Sequence, residues 1–469
     1  MQNRQTGKHL QKVIQLSIPA VMAEISSIAM QYIDAAMVGS LGADATGAIG
    51  LVTSTTWLFG GFCIALATGF SVQVAHLTGA KKDKDARGVL RQALLCTLLF
   101  GIMLSAVGIG VSRYLPGWLG GEDRICADAS RYFLIYACAL PATQIRQTAG
   151  SMLQCSGDMR IPSRLNILMC VLDVVFNGLL IFPARQVSFL GFSIPVAGAG
   201  LGVMGAALGT ALSEVITASL MLYAVCFRSE RLRLGRHGSW RIEGKCLGTA
   251  LRLALPMAME HIILCGAQIA ATRIVAPLGT VAVAANSLAV TAESFCYMPG
   301  YGISAAATTL VGQGIGAGKL QLAKNYARLS VMLGAAVMTF TGGLMFLGAP
   351  LMFSVLTPDL AIRELGTTVL RIEVFAEPLY AVSIVTAGAL RGAGDTLVPS
   401  IINLASMWGI RITSAAFLAP RIGLVGVWIA MCGELCVRGI LFLVRLMRGK
   451  WLARGSVGGG KKLDGHISD

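Results

Sequence analysis

The sequence predicts an all-α integral membrane protein, with twelve transmembrane helices in two six-helix lobes related by a pseudo-two-fold axis along the membrane normal. Three observations lead to this fold class. Charged residues make up only 13% of the chain, whereas a soluble domain has about 25%. Mean hydropathy is +0.71, and apolar stretches of about 20 residues, each long enough to cross a hydrocarbon core, recur along the whole length. The third observation is an internal duplication.

The duplication has a constant offset of 237 positions, which pairs Pro19 with Pro256. The same offset holds along the rest of the repeat, where it pairs turn residues and helix starts: Leu41-Gly42 with Leu278-Gly279, Gly79-Ala80 with Gly316-Ala317, Gly157-Asp158 with Gly394-Asp395, and Pro162 with Pro399. A duplicated, strongly apolar chain is the usual construction of a secondary transporter, whose substrate path lies between the repeats.

Apolar runs between polar breaks predict the individual spans. They lie near residues 13–37, 49–77, 90–112, 130–152, 163–184, 200–227, 249–275, 284–312, 326–348, 367–390, 399–419 and 424–447. Six spans per repeat is an even number, so both repeats enter the membrane from the same side. The predicted domains are an N-terminal lobe (1–227), a cytoplasmic linker (228–246), a C-terminal lobe (247–450) and a disordered cytoplasmic tail (451–469).

Lysine and arginine predict the orientation. The termini and the even-numbered loops carry 27 of these residues and the opposite side carries 7, which places both termini in the cytoplasm of a prokaryotic plasma (inner) membrane. The same asymmetry accounts for the net charge of +15, so a nucleic-acid partner is not required. The basic loops also suit the anionic head groups of the lipid bilayer. We expect a monomer.

Carboxylates inside apolar spans are the candidate functional groups, because such residues are costly there and usually mark ion or substrate paths. Asp34 lies in the outer half of span 1, and its repeat partner is Ala271, so we interpret it as a coupling-ion site rather than as a cap of the span. Asp173 and Asn177 are four apart on span 5 and share a helical face. That face is expected to meet Asp34, although a simple helix–helix hydrogen bond is the alternative.

The second half has its own buried carboxylates. Glu260 follows Pro256 by one turn and is a candidate ion or substrate ligand, or else a hydrogen-bonded packing residue. Glu293 on span 8 and Glu377 on span 10 are expected to line this half, or to form buried pairs with a nearby Arg or Tyr. Glu434 and Arg438, four apart on span 12, are interpreted as a structural pair.

Aromatic residues accompany these carboxylates. An aromatic-lined, net-acidic cavity favours lipophilic cations, although each ring is also compatible with plain packing. The candidate substrate-binding residues are Tyr32, Trp57, Glu293, Tyr297, Tyr301 and Tyr380. An enzyme is not indicated and no cofactor is expected, because the five histidines are scattered and the cysteines lie mostly in apolar runs without a metal-ligand spacing.

Several motifs, in order and partly duplicated, carry a resemblance that covers residues 10–452. They are Asp34-Ala35-Ala36-Met37-Val38-Gly39, Gly79-Ala80-Lys81-Lys82 with its copy Gly316-Ala317-Gly318-Lys319, and Ala389-Leu390-Arg391-Gly392-Ala393-Gly394-Asp395-Thr396. The chain resembles the multidrug and toxic compound extrusion family of efflux antiporters. The resemblance implies two lobes around a V-shaped cavity, and antiport of cationic or amphipathic compounds against H⁺ or Na⁺.

The resemblance also implies site residues. A first-span Asp with polar partners on span 5 is matched by Asp34, Asp173 and Asn177. Sodium-coupled members add a seventh-span Glu, matched by Glu260, and an acidic residue on span 10. Here Tyr380 stands at that last position and Glu377 lies one turn earlier, so H⁺ is favoured over Na⁺ bound by Glu260 and Glu377.

The alternative function is a flippase for a lipid-linked oligosaccharide or a related amphiphile. A pyrophosphate head group would require a cavity lined by several Arg or Lys. Once the arginines assigned to the loops and termini are set aside, only four remain as candidates: Arg146, Arg273, Arg411 and Arg438. The sequence therefore favours the exporter of cations.

Overall fold

The computed structural model describes residues 2–189, 192–235 and 238–452, and most of them are helical. The first half consists of α1 (Gln2–Gly39), α2 (Ala43–Gly79), α3 (Asp83–Ser112), the short α4 (Leu115–Trp118), α5 (Asp123–Ser156), α6 (Arg160–Leu180) and α7 (Val203–Tyr223), the last extended by a π-helical turn, Ala224–Arg228. Between α6 and α7 lies an antiparallel hairpin of β1 (Pro183–Phe189) and β2 (Phe192–Ala199). The sequence analysis did not predict this hairpin.

The second half repeats the pattern with more interruptions. It consists of α8 (Gly244–Val275) with a 3₁₀ turn (Ala276–Leu278), α9 (Thr280–Gly316), α10 (Leu320–Leu356), α11 (Leu360–Val374), α12 (Glu377–Gly392), α13 (Leu397–Ser406) with a π-helical turn (Met407–Ile412), and α14 (Thr413–Met447). Helix α14 covers the end of span 11 and all of span 12. Its two parts are separated by a kink at Ile422 and Gly423, whose backbone angles are not helical.

The predicted spans coincide with these helices, apart from their ends. Nine helical segments in the described part of the chain are long and apolar enough to cross a membrane, and one of them, Leu397–Met447, covers two predicted spans. Span 4 falls on α5, and span 10 falls on α11 and α12, which are separated by a break before Pro378. The multi-pass helical membrane fold is confirmed; the number of twelve spans and the pseudo-two-fold axis stay predictions.

The turn residues that the duplication repeats produce the same turns in both halves. Gly42 and Gly279, which the repeat offset pairs, precede α2 and α9 with φ of +111° and +99°. Gly157 and Gly394 follow α5 and α12 with φ of +101° and +81°. Glycine adopts this left-handed region without the steric cost that a Cβ imposes. Four of the repeat's glycines are therefore explained by backbone geometry.

The two halves meet through α1 against α9 and α2 against α8. Side chains from one half complete the apolar core of the other: Val13 of α1 joins the core of the second half, and Ala250 of α8 joins that of the first. Small residues permit this approach, as is usual between helices in lipid. A Cβ on Gly69 would lie 2.3 Å from the carbonyl oxygen of Ala250, and one on Gly302 would lie 2.6 Å from the amide nitrogen of Val21.

The predicted linker and the predicted tail each include residues of the described fold. Helix α8 begins at Gly244, inside the predicted linker. Trp451, the first residue of the predicted tail, is fully buried in the core of the second half, and its Nε1 donates to the carbonyl of Leu446 at 3.1 Å. Residues 453–469 of that tail lie outside the described residues.

We call the end of the molecule where α1 and α6 begin, and where α2 ends, the basic face.

Candidate functional site

The predicted partners of the first half come together between α1 and α6. The side-chain amide of Asn177 donates through Nδ2 to Asp34 Oδ1 at 2.9 Å and to Asp173 Oδ2 at 3.0 Å. Asp173 is 0% exposed and Asn177 is 1% exposed. One amide thus bridges two carboxyl groups on different helices. The contact is the one expected from the sequence, while the coupling role of these residues stays a prediction.

Local sequence explains how the site forms. Asp173 and Asn177 lie one turn apart on α6, so both face α1. Helix α7 closes the site from the side through Gly209, where a Cβ would lie only 2.0 Å from Asn177 Oδ1. Two buried oxygens, Asp173 Oδ1 and Asn177 Oδ1, have no hydrogen-bond partner within the described residues. The site therefore offers buried acceptors to a proton or a small cation.

The electrostatics of this site follow from its composition. Two carboxylates that accept from the same amide repel each other when both are charged, and burial removes the water that would screen them. A single proton shared by the pair removes that repulsion. Gain or loss of one proton therefore changes the electrostatic interaction between Asp34 on α1 and Asp173 on α6.

Glu260 has a different environment in the second half. Its carboxylate accepts from Arg391 Nη2 at 3.2 Å, Ser400 Oγ at 2.8 Å and Asn403 Nδ2 at 2.7 Å. The residue is 5% exposed. Arg391, which the sequence analysis assigned to a loop, lies in the last turn of α12. The negative charge of Glu260 is therefore compensated by an arginine and two neutral donors.

A second acidic group consists of Glu293 on α9, Glu373 on α11 and Glu377 on α12. All three are buried and lie within electrostatic interaction range of one another. The carboxylate oxygens of Glu373 and Glu377 have no hydrogen-bond partner among the described residues. Sequence reasoning missed Glu373, although its position one turn before Glu377 within span 10 was a usable signal.

Glu260 and Glu377 belong to these two separate groups. Within the described ranges, no cluster of three or more His, Cys, Asp or Glu side chains has the geometry to hold a metal ion. The geometry thus supplies no support for a sodium site formed jointly by Glu260 and Glu377, whose role stays untested.

A small cavity of about 140 Å³ lies beside Glu260 in the second half. Three arginines line it, together with Tyr301 and Tyr380: Arg391, Arg411 and Arg438. Arg411 Nη2 lies 2.8 Å from Glu434 Oε2, and Arg438 Nε lies 3.2 Å from Glu434 Oε1. The structural pair expected between Glu434 and Arg438 is present, and Arg411 joins it. Sequence reasoning did not place arginines around a cavity.

The candidate aromatic residues fall into three places. Tyr297 packs against Tyr301 and Tyr380, with ring centroids 6.0 Å and 5.6 Å apart. Tyr32 lies where α1 meets α9, with its ring 5.0 Å from that of Phe295. Trp57 on α2 is 61% exposed. Three tyrosines therefore form one cluster next to the acidic group, whereas Tyr32 and Trp57 are elsewhere.

Comparison with known proteins decides the family. The family model described as MatE matches residues 19–179 and 256–417. This chain belongs to the MatE family. The two matches begin at Pro19 and Pro256, the prolines that the repeat offset pairs. Each repeat of this MatE protein therefore matches the family model once.

Relatives of this chain and solved structures similar to it agree with this assignment. The chain is 27% identical over 453 residues to a probable multidrug resistance protein NorM of Idiomarina loihiensis (93% and 94% of the two chains), and 26% identical over 445 residues to one of Thermotoga maritima (94% and 93%). It superposes on the outward-facing conformation of a multidrug resistance MATE family transporter of the MOP superfamily with a TM-score of 0.86 (20% identity; 95% and 96% covered). Superposition on the bent form of the Vibrio cholerae MATE transporter VcmN gives a TM-score of 0.84, with 16% identity and with 96% of this chain and 99% of that chain covered.

Proposed function

We propose that this MatE protein is a secondary multidrug exporter that exchanges cationic or amphipathic compounds for protons by alternating access. Membership of the family and relatives named as probable multidrug resistance proteins support the transport class. The observation that favours H⁺ as the coupling ion is the hydrogen-bonded bridge from Asn177 to Asp34 and Asp173.

The coupling follows from the position of α1. One proton on the Asp34–Asp173 pair keeps both carboxyl groups beside the Asn177 amide, whereas loss of that proton makes the two groups repel and loosens α1 from α6. Helix α1 also packs on α9 of the other half, where Tyr32 meets Phe295. Proton binding therefore favours one arrangement of the halves over another, which is what exchange requires.

Sodium is the weaker alternative because of the surroundings of Glu260. Sodium needs several oxygen ligands held together, and the oxygens of Glu260 already accept from Arg391, Ser400 and Asn403. A sodium ion bound there would have to displace the arginine. Breaking a buried ion pair costs about 3–5 kcal/mol.

The substrate is assigned to the second half. Glu293, Glu373 and Glu377 supply negative charge, and Tyr297 and Tyr380 supply aromatic faces next to them. A lipophilic cation gains from both, through charge and cation–π contact. Tyr32 and Trp57 remain candidates for contact along the path between the halves.

The flippase alternative is disfavoured by the pairing of the arginines. Arg391 pairs with Glu260, Arg411 and Arg438 share Glu434, and Arg146 pairs with Glu214 at 2.6 Å. A pyrophosphate would have to break these pairs before the arginines could bind it. Glu260 and Glu434 offset two of the three arginine charges of the cavity, which weakens its attraction for a phosphorylated head group.

The deciding experiment is ethidium transport by purified protein in vesicles under imposed gradients. We expect a pH gradient to drive ethidium uphill in sodium-free buffer, and a protonophore to abolish that transport. Transport driven by a sodium gradient at symmetric pH, insensitive to the protonophore and lost in Glu260→Gln, would instead establish sodium coupling. Failure of both gradients to move ethidium, with movement of a fluorescent lipid-linked oligosaccharide, would establish the flippase.

A further inference from the structure

A groove of about 740 Å³ opens at the basic face between the two halves. Its walls come from the start of α1, the turn between α5 and α6, the π-helical end of α7, and Gln313 of α9. Five basic side chains line it: Lys12, Arg160, Arg164, Arg228 and Arg231. The groove is outside the sites assigned above to protons and substrate.

The positive charge of this groove is not compensated by carboxylates. Among the residues that the structure describes, none of the five basic side chains lies within 4.0 Å of a carboxylate oxygen. The groove contains two acidic residues. Asp158 accepts from the backbone amides of Arg160 and Ile161 at 3.1 Å and 3.2 Å, as a cap of α6, and Glu230 is exposed. Five cations beside two anions attract an anionic ligand.

The repeat supplies an internal comparison. A second groove at the equivalent place of the other repeat has a volume of about 980 Å³, and the offset pairs residues that line the two, such as Leu16 with Leu253. The second groove has only Lys245 and Arg252 as basic residues, beside three acidic ones: Asp85, Glu243 and Asp395. A basic lining is therefore not a general property of grooves on this face.

The position of the groove relative to the spans indicates the class of ligand. Lys12 precedes the first apolar residue of span 1, Arg160 lies in the first turn of α6, and Arg228 directly follows span 6. These are head-group positions. Leu16 and Ile161 line the same groove, so one surface offers cations for a phosphate and apolar side chains for the start of an acyl chain.

We propose that this groove binds the phosphate of an anionic phospholipid from the leaflet at the basic face. The bound lipid contacts both halves, because Gln313 of α9 lines the groove and donates to the carbonyl of Cys155 on α5 at 3.0 Å. A ligand that binds one arrangement of the halves more tightly than another shifts the population towards it. Anionic lipid therefore stabilises the arrangement in which the halves touch at the basic face.

Native mass spectrometry of the purified protein, titrated with phosphatidylglycerol or phosphatidylcholine, tests the binding. We expect the wild type to retain phosphatidylglycerol preferentially, and Arg160→Gln with Arg164→Gln to lose about 10- to 30-fold in affinity for it, since each basic residue near an anionic surface contributes roughly a factor of five. The matched control, Lys245→Gln with Arg252→Gln in the equivalent groove, should keep wild-type affinity. Circular dichroism melting in detergent confirms that both variants are folded.

Two results would overturn the proposal. The first is equal phosphatidylglycerol affinity in the groove variant and the wild type. The second is displacement of the lipid by inorganic phosphate at equal concentration, which would identify a site for soluble anions rather than for lipid. Neither result bears on ethidium transport, so the proposed lipid site and the proposed export function are tested independently.

Discussion

Gln313 and His76 occupy equivalent positions of the two repeats, and each donates a hydrogen bond across to the opposite half. His76 Nε2 lies 2.8 Å from the carbonyl oxygen of Gly392, and Gln313 Nε2 lies 3.0 Å from that of Cys155. The two acceptors, Cys155 and Gly392, are also paired by the repeat offset. The halves are thus joined at the basic face by two equivalent bonds, in agreement with the predicted pseudo-two-fold relation.

Gly316→Ala is expected to separate the halves at this contact. A Cβ there would lie 1.9 Å from the carbonyl oxygen of His76, closer than any heavy atoms pack without covalent bonding, and the obstacle is backbone that cannot rotate away. In a chain whose other cysteines are replaced by alanine, we expect a maleimide to label the buried Cys155 several-fold faster when this substitution is present.

The matched control for that experiment is Gly343→Ala on α10, where a Cβ would meet no atom within 4 Å. It should leave the labelling rate of Cys155 unchanged. Equal rates in Gly316→Ala and the parent chain would show that this glycine contact does not hold the basic face closed.

Asp34→Asn is expected to abolish proton-driven efflux while the protein still folds and inserts. The amide is nearly isosteric with the carboxylate and can accept a hydrogen bond from Asn177, yet it cannot gain or lose a proton in the pH range of the assay. Ethidium efflux from vesicles under a pH gradient measures the effect. Asp44→Asn, at an exposed position beside Arg124, should transport normally. Uphill transport by Asp34→Asn at the wild-type rate would remove Asp34 from the coupling site.

Gly209→Ala tests whether the geometry around Asn177 matters, independently of any carboxylate. A Cβ would lie 2.0 Å from Asn177 Oδ1 and would force the amide away from Asp34 and Asp173. We expect efflux to fall at least 10-fold, with about 1–3 kcal/mol lost in stability through overpacking. Gly178→Ala, next to Asn177 on α6 and free of contacts within 4 Å, is the control. If the two variants transport equally well, the amide bridge is not needed.

The sequence predicted the parts of this molecule that local chemistry determines. The offset between Pro19 and Pro256 anticipated equivalent turns at Gly157 and Gly394, because a left-handed turn selects glycine wherever it occurs. Asp34, Asp173 and Asn177 could be singled out since a polar group in an apolar span is costly and must find a partner.

The remaining features depend on which helices oppose one another, and periodicity does not contain that information. Glu260 was singled out as a carboxylate in an apolar span, but only the packing of α8 against α13 shows that it contacts Ser400 and Asn403. Arg391 was missed for the same reason, whereas Glu373 was missed although its spacing of one turn from Glu377 was a usable signal. Their importance lies in partners from other helices rather than in their own segments.

Glu260 and Arg391 form a buried pair whose energetics can be separated by a double-mutant cycle. Arg391→Met leaves the carboxylate of Glu260 buried beside neutral donors only, and we expect it to cost about 3 kcal/mol. Glu260→Gln alone should cost less, because its amide oxygen still accepts from Ser400 and Asn403. The double variant should recover most of the stability lost in Arg391→Met. Thermal unfolding in detergent measures all four proteins, and additive losses would show that the two residues do not interact.

The last prediction concerns orientation, on which the assignment of the basic face to the cytoplasm depends. Lysine and arginine are concentrated 27 to 7 on the side of the termini, and loops rich in these residues are retained in the cytoplasm during insertion. Single cysteines placed at Gly235 or Ser239, between α7 and α8, should react with an impermeant maleimide in everted vesicles and remain unlabelled in intact cells. A cysteine at Gly120, between α4 and α5 on the opposite side, should show the reverse pattern. Labelling of either position in the α7–α8 segment from outside intact cells would invert the topology and place the lipid groove in the outer leaflet.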